Sequence, residues 1–264
     1  MTTALITGAS SGIGKALAHT FAEHNYNLVL VAEMATELSR AAQELRERYP
    51  VEIIEMPKNL TDEQAPREIY DNLIRRNIRV DVLVNDAGVG HREKFHESDI
   101  EHDIYIIRLN IEALVRMTKL FVRDMVSRGS GKILNLGSVG GFQPGPLLAV
   151  YHASKAFVIS FSEALAEEVK DTGVTVTTLC PGPTDTDFFK RADMENARIL
   201  QDGVVMEPEK VAEIGYKALI NGERIVIPGM SNKMLTFARR LMPKSAQAAL
   251  NRKFYEVKEE EPVA

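Results

Sequence analysis

The chain has a single cysteine, Cys180, and no tryptophan in 264 residues. A lone thiol excludes an internal disulfide and a cysteine-based metal site, and it fits a reducing compartment such as the cytoplasm. Apolar runs are short, LVLVA being typical, and none approaches the roughly 18 residues that a membrane-spanning helix needs. No basic leader followed by an apolar segment opens the chain, so no export signal is expected and the protein reads as soluble and cytoplasmic. There is no basic excess either: the net charge is −5 and the pI is near 5.8. That balance argues against nucleic acid as a partner. Long Pro/Gly/Ser linkers and internal repeats are also missing, so residues 1–264 are expected to form one domain.

What is present is alternation. Short β-branched runs at Thr3–Thr7, Leu28–Ala32, Val51–Met56, Val80–Asn85, Lys132–Leu136, Val174–Leu179 and Arg224–Ile227 read as strands. Between them lie helical patterns, with Ile13, Leu17 and Phe21 recurring at fours, as do Phe157, Phe161, Leu165 and Val169. Strands that are apolar on both faces and separated by helices imply an α/β protein with a doubly wound parallel sheet, the Rossmann arrangement. Two segments stand outside the alternation. Asp187–Val205 is polar and irregular, a candidate substrate lid. Residues 229–264 form a C-terminal extension whose acidic end, Val257–Ala264, reads as a solvated tail. Within it, Lys233–Lys253 is basic and partly amphipathic, but Pro243 interrupts it, and packing on the sheet is preferred to membrane contact.

TGASSGIG, Thr7–Gly14, follows the first strand and opens the first helix. Gly8 permits a tight turn, while Gly12 and Gly14 remove Cβ atoms where backbone must approach a phosphate or a neighbouring strand. A helix N-terminus supplies free N–H groups and partial positive charge, which suits a pyrophosphate. The strand–loop–helix context points to dinucleotide binding, and the lack of a Lys–Ser/Thr pair after the glycines excludes a P-loop. Farther on, YHASK places Tyr151 and Lys155 one helical turn apart, so both point the same way. Alone, such a pair is most often just a partly solvated helix face.

Taken together, TGASSGIG, NDAG at Asn85–Gly88, Asn110 in RLNIEA, Ser138 in LGSVGG, YHASK, and PGPTDT at Pro181–Thr186 resemble the short-chain dehydrogenase/reductase family in order and spacing, over about residues 3–228. The resemblance implies a hydride transfer between nicotinamide and a carbonyl/alcohol pair, with NAD or NADP as cofactor and a small molecule as substrate. It implies that Tyr151 is the general acid/base and that Lys155 lowers its pKa and binds the ribose hydroxyls. Ser138 would hold the substrate oxygen, and Asn110 would position the lysine through water. Cofactor contacts would come from Gly8, Ser10, Ser11, Gly12, Ile13 and Gly14 in the first loop. Glu33, Asn59 and Leu60 would follow, then Asn85, Ala87 and Gly88. Pro181 and Gly182 would shape the turn beneath the nicotinamide, with Thr184 and Thr186 reaching its carboxamide and the pyrophosphate. The family implies a homodimer or homotetramer built through helices near residues 99–127 and 151–170. Ile104, Ile107, Ile111 and Val115 fit that interface or an internal core equally. No residue is assigned as a metal ligand.

Three positions depart from the family pattern. Glu33 stands where an arginine is common in NADP-using relatives, and its carboxylate would repel a 2′-phosphate, which favours NAD. Asn59 replaces an aspartate expected at the adenine, and Asp86 replaces an asparagine; either the acid has moved between two sites bordering the adenosine or the changes mark a weakened cofactor site. A catalytically silent redox-sensing protein is the competing reading, and a methyltransferase a more distant one. The loop after Gly88, the Gly140–Val150 segment and the candidate lid should wall the substrate, with a tilt toward hydrophobic or acyl-type molecules. His91 and Arg92 read as an ordinary solvated loop or the edge of that mouth. His152 reads as surface or substrate-lining, and Cys180 as a packing residue.

Overall fold

The computed structural model describes residues 2–194, 205–240 and 242–255. Seven parallel strands form one sheet in the order β3-β2-β1-β4-β5-β6-β7. They are β1 (Thr3–Thr7), β2 (Asn27–Ala32), β3 (Ile53–Pro57), β4 (Val82–Asn85), β5 (Gly131–Leu136), β6 (Val174–Leu179) and β7 (Ile225–Val226). Alternation along the strands feeds two cores. Ala4 and Ile6 of β1, with Leu28 and Leu30 of β2, pack in one layer; Leu5, Val29 and Val31 pack in the other. The first layer is closed by α1 (Gly12–Glu23), α2 (Ala35–Arg48) and α8 (Pro208–Asn221), through Leu17, Phe21, Leu38, Leu45 and Leu219. The second is closed by α3 (Ala65–Arg75), α5 (Leu114–Ser127) and α6 (Ala149–Glu168), through Ile69, Leu73, Met117, Phe121 and Ala166. The expected doubly wound sheet is therefore what forms.

The boundaries that moved have local causes. Val80 and Asp81 lie before β4 because the Asp81 carboxylate accepts from the Thr3 backbone N–H at 3.0 Å and pairs with Arg79 at 2.8 Å. Helix α4 (Ile100–Ile107) does not run straight into α5; Arg108–Ala113 forms a π-helical turn between them. Such a turn shifts the helix register by a residue and commonly marks a functional position. Here it carries Asn110. The interface candidates on these helices are not core: Ile107 is 40% exposed, and Ile104, Ile111 and Val115 are half-buried, whereas Ile106, Ala113 and Met117 face inward.

Chain order along the sheet reverses between β1 and β4, which are paired side by side although β2 and β3 continue in the other direction. The helices after β1 and β4 leave on opposite faces, so a crevice opens at the carboxyl ends of these strands. The glycine loop and NDAG both emerge there. The basic C-terminal segment folds as two helices, α9 (Met230–Arg240) and α10 (Lys244–Tyr255), broken at Pro243 as the sequence indicates. Most of the candidate lid, residues 195–204, and the acidic tail, 256–264, lie outside the described residues. The start of the lid forms a short helix, α7 (Phe188–Arg191). Among the described residues, no helix is long and apolar enough to cross a membrane.

Candidate active site

A cavity of about 490 Å³ occupies the crevice. Its floor at one end is the first loop, where Gly8 and Gly12 take left-handed φ values of 70° and 55° that other residues adopt at a cost. Ser11 precedes α1 without capping it by a side-chain bond, so the Gly12 and Ile13 N–H groups of the first turn are left for a ligand. Ser10, Ser11, Gly12 and Ile13 line the wall, and so do Glu33, Asn59, Leu60, Ala87 and Gly88. From the other side come Pro181, Gly182, Thr184 and Thr186, with Ser138, Tyr151 and Lys155. Seven sequence segments thus converge on one cavity whose exposed helix N-terminus fits a dinucleotide pyrophosphate.

Two expected cofactor residues do not face it. The Gly14 backbone N–H donates to Asp86, and a Cβ on Gly14 would lie 2.4 Å from the Gly8 carbonyl oxygen, so this glycine serves packing between loop and helix. Asn85 turns inward from the end of β4, where its amide donates to Thr118 at 3.0 Å and to Asn135 at 2.8 Å. It braces β4 against β5 and α5.

The Ser138 hydroxyl hydrogen-bonds the Tyr151 phenol and also accepts from the Gly140 N–H at 3.0 Å. Lys155 follows one turn along α6, its ammonium donating to the Leu136 carbonyl at 2.8 Å and lying 5.9 Å from the Tyr151 ring centre. Burial pushes the phenol up to about 12, with the Ser138 bond pulling weakly the other way. Burial thus acts on the phenol in the direction opposite to the lowering expected from Lys155 and the nicotinamide charge. Burial likewise pushes the Lys155 ammonium down to about 8, although Asp86 acts to raise it.

Asn110 sits behind the cavity wall. Its side-chain oxygen accepts from Val89 N at 2.9 Å, and its amide donates to Val89 O at 2.9 Å and to Ser154 at 3.0 Å. This double clamp fixes the loop after β4. A Cβ on Gly88 would lie 3.2 Å from Asn110 Oδ1 and 3.4 Å from Lys155 Nζ, so asparagine and lysine flank the same glycine.

The two residues flagged in the sequence both line the cavity but have different partners. Asn59 accepts from Thr61 N at 2.9 Å and from the Thr61 hydroxyl at 2.8 Å, closing its own turn. Asp86 instead lines the cavity half-buried between the glycine loop and Lys155. Desolvation pushes its carboxyl up to about 7, against the Lys155 charge and the Gly14 N–H. Its Oδ1 has no hydrogen-bond partner among the described residues.

Beside Ser138 and Tyr151 one wall of the cavity is apolar. Leu148, Met194 and Tyr255 are buried there, with Tyr151, Phe188 and Phe189 packed against them. His152 is neither surface nor substrate-lining. It is buried, with Nδ1 2.9 Å from the Gln143 carbonyl and Nε2 2.9 Å from the Tyr255 hydroxyl. Cys180 is buried with its thiol pushed up to about 12, as suits a packing residue. Sequence reasoning missed Tyr255, which arrives from 104 positions beyond Tyr151 and carries no local pattern. It also missed Tyr105, whose hydroxyl donates to Glu33 at 3.4 Å.

A switch-point crevice with an open helix N-terminus and a Ser–Tyr–Lys cluster defines a dinucleotide-dependent oxidoreductase. The chain matches the description "short chain dehydrogenase" across residues 2–197. It is 35% identical to sulfoacetaldehyde reductase 2 of Chromohalobacter salexigens over 216 residues, covering 80% of this chain and 85% of that protein. It is 34% identical to the human very-long-chain 3-oxoacyl-CoA reductase, covering 67% of this chain but only 58% of that one. Among solved structures, a short-chain dehydrogenase from Sphingobium yanoikuyae in complex with NADPH is 32% identical, with a TM-score of 0.81 over 91% of this chain and 94% of that one. The bulky-bulky ketone specific alcohol dehydrogenase from Comamonas testosteroni is 30% identical, with a TM-score of 0.77 over 91% and 92%. The chain belongs to the short-chain dehydrogenase/reductase family. It is an NAD(P)-dependent oxidoreductase that transfers a hydride between a nicotinamide and a carbonyl/alcohol substrate, and the catalytically silent alternative falls away.

Proposed function

We propose that the enzyme reduces an apolar ketone or related carbonyl, with Tyr151 as the proton donor. The observation that carries this reading is the apolar wall of Leu148, Phe188, Phe189, Met194 and Tyr255 beside the Ser138–Tyr151 pair. A charged substrate end would lose its hydration against these apolar side chains. In the reductive direction the bound nicotinamide supplies the hydride. Ser138 then holds the carbonyl oxygen, and the phenol gives its proton to the forming alkoxide. A phenol held near 12 is protonated across the physiological range, as a donor must be. Lys155, which lines the same wall, binds the ribose beside it. Asn110 acts at one remove by fixing Val89. Phe188, Phe189 and Met194, at the start of the candidate lid, wall the substrate, and the C-terminal extension completes that wall through Tyr255.

NAD is the favoured cofactor in this reading. The adenosine end carries Glu33 and Glu37, while its cations are already engaged: Lys58 with Glu68, and Arg191 with Glu37 at 3.7 Å. A 2′-phosphate would meet two carboxylates. The half-exposed Ile107 and Phe157, on α4 and α6, support assembly as a homo-oligomer through those helices.

One assay tests the whole reading: a panel of short polar, anionic and bulky apolar ketones, each with NADH and NADPH, followed by loss of reduced-nicotinamide absorbance. The expected outcome is a kcat/KM at least about tenfold higher for the apolar members, and higher with NADH. A preference for anionic substrates would overturn the substrate class; a large advantage for NADPH would overturn the cofactor reading alone.

A further inference from the structure

Outside the hydride-transfer site, three side chains able to ligate a metal converge where the loop after β4 meets the first turn of α4. They are His91, Glu93 and His102, and their ligand atoms all lie within 4.8 Å of one another. His91 Nε2 is 3.2 Å from Glu93 Oε2, and the two imidazole rings are 4.8 Å apart. We propose that these three residues form a site for a zinc-class divalent ion that fastens the loop after β4 to α4.

The donor set decides the class of ion. Two imidazole nitrogens and one carboxylate suit Zn²⁺, and Co²⁺ or Ni²⁺ as surrogates, whereas Mg²⁺ and Ca²⁺ require oxygen donors. Ligand bonds of about 2.0–2.2 Å place tetrahedral donors roughly 3.3–3.5 Å apart. The His91–Glu93 pair, at 3.2 Å, is already close to that spacing, and closing the site asks mainly for movement of His102. That side chain is exposed on α4 and has the freedom to turn. Three protein ligands leave the fourth position to water on the solvent side, the pattern of an open rather than a purely structural zinc site.

The position gives the ion a consequence. Val89 and Gly90, which wall the substrate cavity, immediately precede the loop ligands. Val89 is clamped by Asn110, and a Cβ on Gly90 would lie 2.8 Å from the Phe188 ring and 3.2 Å from that of Tyr151. Arg92 N donates to the Ala192 carbonyl at 3.1 Å, and Glu93 N to the Leu147 carbonyl at 2.8 Å. An ion at the site therefore ties α4 to a loop already pinned to both sides of the substrate mouth. It takes no part in the hydride or proton transfer, and it stands whichever ketone the enzyme uses.

The competing explanation is an ordinary His91–Glu93 ion pair with His102 packed against it. Titrating chelator-treated enzyme with Zn²⁺ against a chromophoric chelator separates the two. The expected result is one ion per chain with a Kd at or below about 10 µM, and a weakening of at least about tenfold in both His91→Ala and His102→Ala. His96→Ala is the control, because His96 lies in the same loop, is 77% exposed and contacts only Glu97 among the described ion pairs; its affinity should stay within about twofold. Stoichiometric Zn²⁺ should also raise the thermal midpoint of the wild type and of His96→Ala but not of the two ligand variants, since an ion that binds only the native state stabilises it. No saturable binding, or equal affinity in wild type, His91→Ala and His102→Ala, overturns the proposal. These readouts do not depend on turnover, so they stand apart from the ketone assay.

Discussion

The two ends of the cavity are built in different ways. At the adenosine and pyrophosphate end, Ser10 to Ile13 follow β1 directly, and Glu33 follows β2. Each residue is placed by the strand that immediately precedes it, so sequence order and spatial order agree. At the substrate end, the wall is assembled from far-apart segments: Leu148 at the start of α6, Phe188 in α7, Met194 beyond it and Tyr255 at the end of α10. Here the packing is long-range, and it depends on buried polar ties such as His152–Tyr255 and the Asn251 amide donating to the Pro144 carbonyl at 2.7 Å. The first kind of wall serves a ligand common to many enzymes. The second can be rebuilt without touching the sheet, which is where substrate choice can change.

The largest expected effect falls where the two ends meet. Tyr151→Phe removes the proton donor but keeps the ring that packs at 5.2 Å against Phe188. Loss of a positioned general acid should lower kcat by about 10²–10⁴-fold, and dinucleotide affinity measured by fluorescence titration should change by less than about threefold. A mild effect on kcat would mean that another group, such as a water relayed through Ser138, delivers the proton.

Tyr255→Phe probes the substrate end alone. It deletes one hydrogen bond to the buried His152, worth about 1 kcal/mol, and leaves the ring in place. The expected outcome is a KM for apolar ketones raised by about 3–10-fold with kcat within about twofold, and unchanged dinucleotide affinity. If cofactor binding fell instead, the division between the two ends would be wrong.

That division also explains what could be read from the sequence. The glycine loop, Ser138, Tyr151 and Lys155 lie at strand ends and on one helix face, where the periods of strand and helix fix direction. The sheet and its doubly wound order were legible for the same reason, since alternating Ala4, Leu5 and Ile6 can only feed two cores. Other features were not legible. The π-turn at Arg108–Ala113 looks like continuous helix in one dimension, because its extra residue leaves no compositional mark. Tyr255 depends on the α10 packing and the His152 contact. Gly14 and Asn85 belong to family motifs yet serve packing, a distinction carried by side-chain direction at a loop or strand end and not by residue type. The upward push of burial on the Tyr151 phenol escapes a reading of the sequence because a neighbouring lysine is visible there, whereas depth of burial is not.

Asp86 gives the subtlest expected effect on turnover and the sharpest test of how the glycine loop joins the catalytic pair. Its carboxyl faces the Lys155 ammonium from the end of β4 and the Gly14 N–H from α1, and burial raises it from 3.8 to about 7. Because the native value lies above the unfolded one, the native chain still holds a proton that the unfolded chain releases between about pH 4 and 7. Stability therefore falls as pH rises through that window and levels off above it. A carboxamide at this position has no such proton, so Asp86→Asn should show a smaller loss of thermal midpoint from pH 5 to pH 7.5, both below the Lys155 value of about 8. The substitution also removes a charge that holds the lysine up. Lys155 should then deprotonate at lower pH, where, as a cation with a depressed value, it adds stability with rising pH and flattens the curve further. Equal pH slopes in the two proteins would show that Asp86 stays ionised across the range, held so by Lys155, and that the loop and the lysine are joined by a buried ion pair instead of a shared proton.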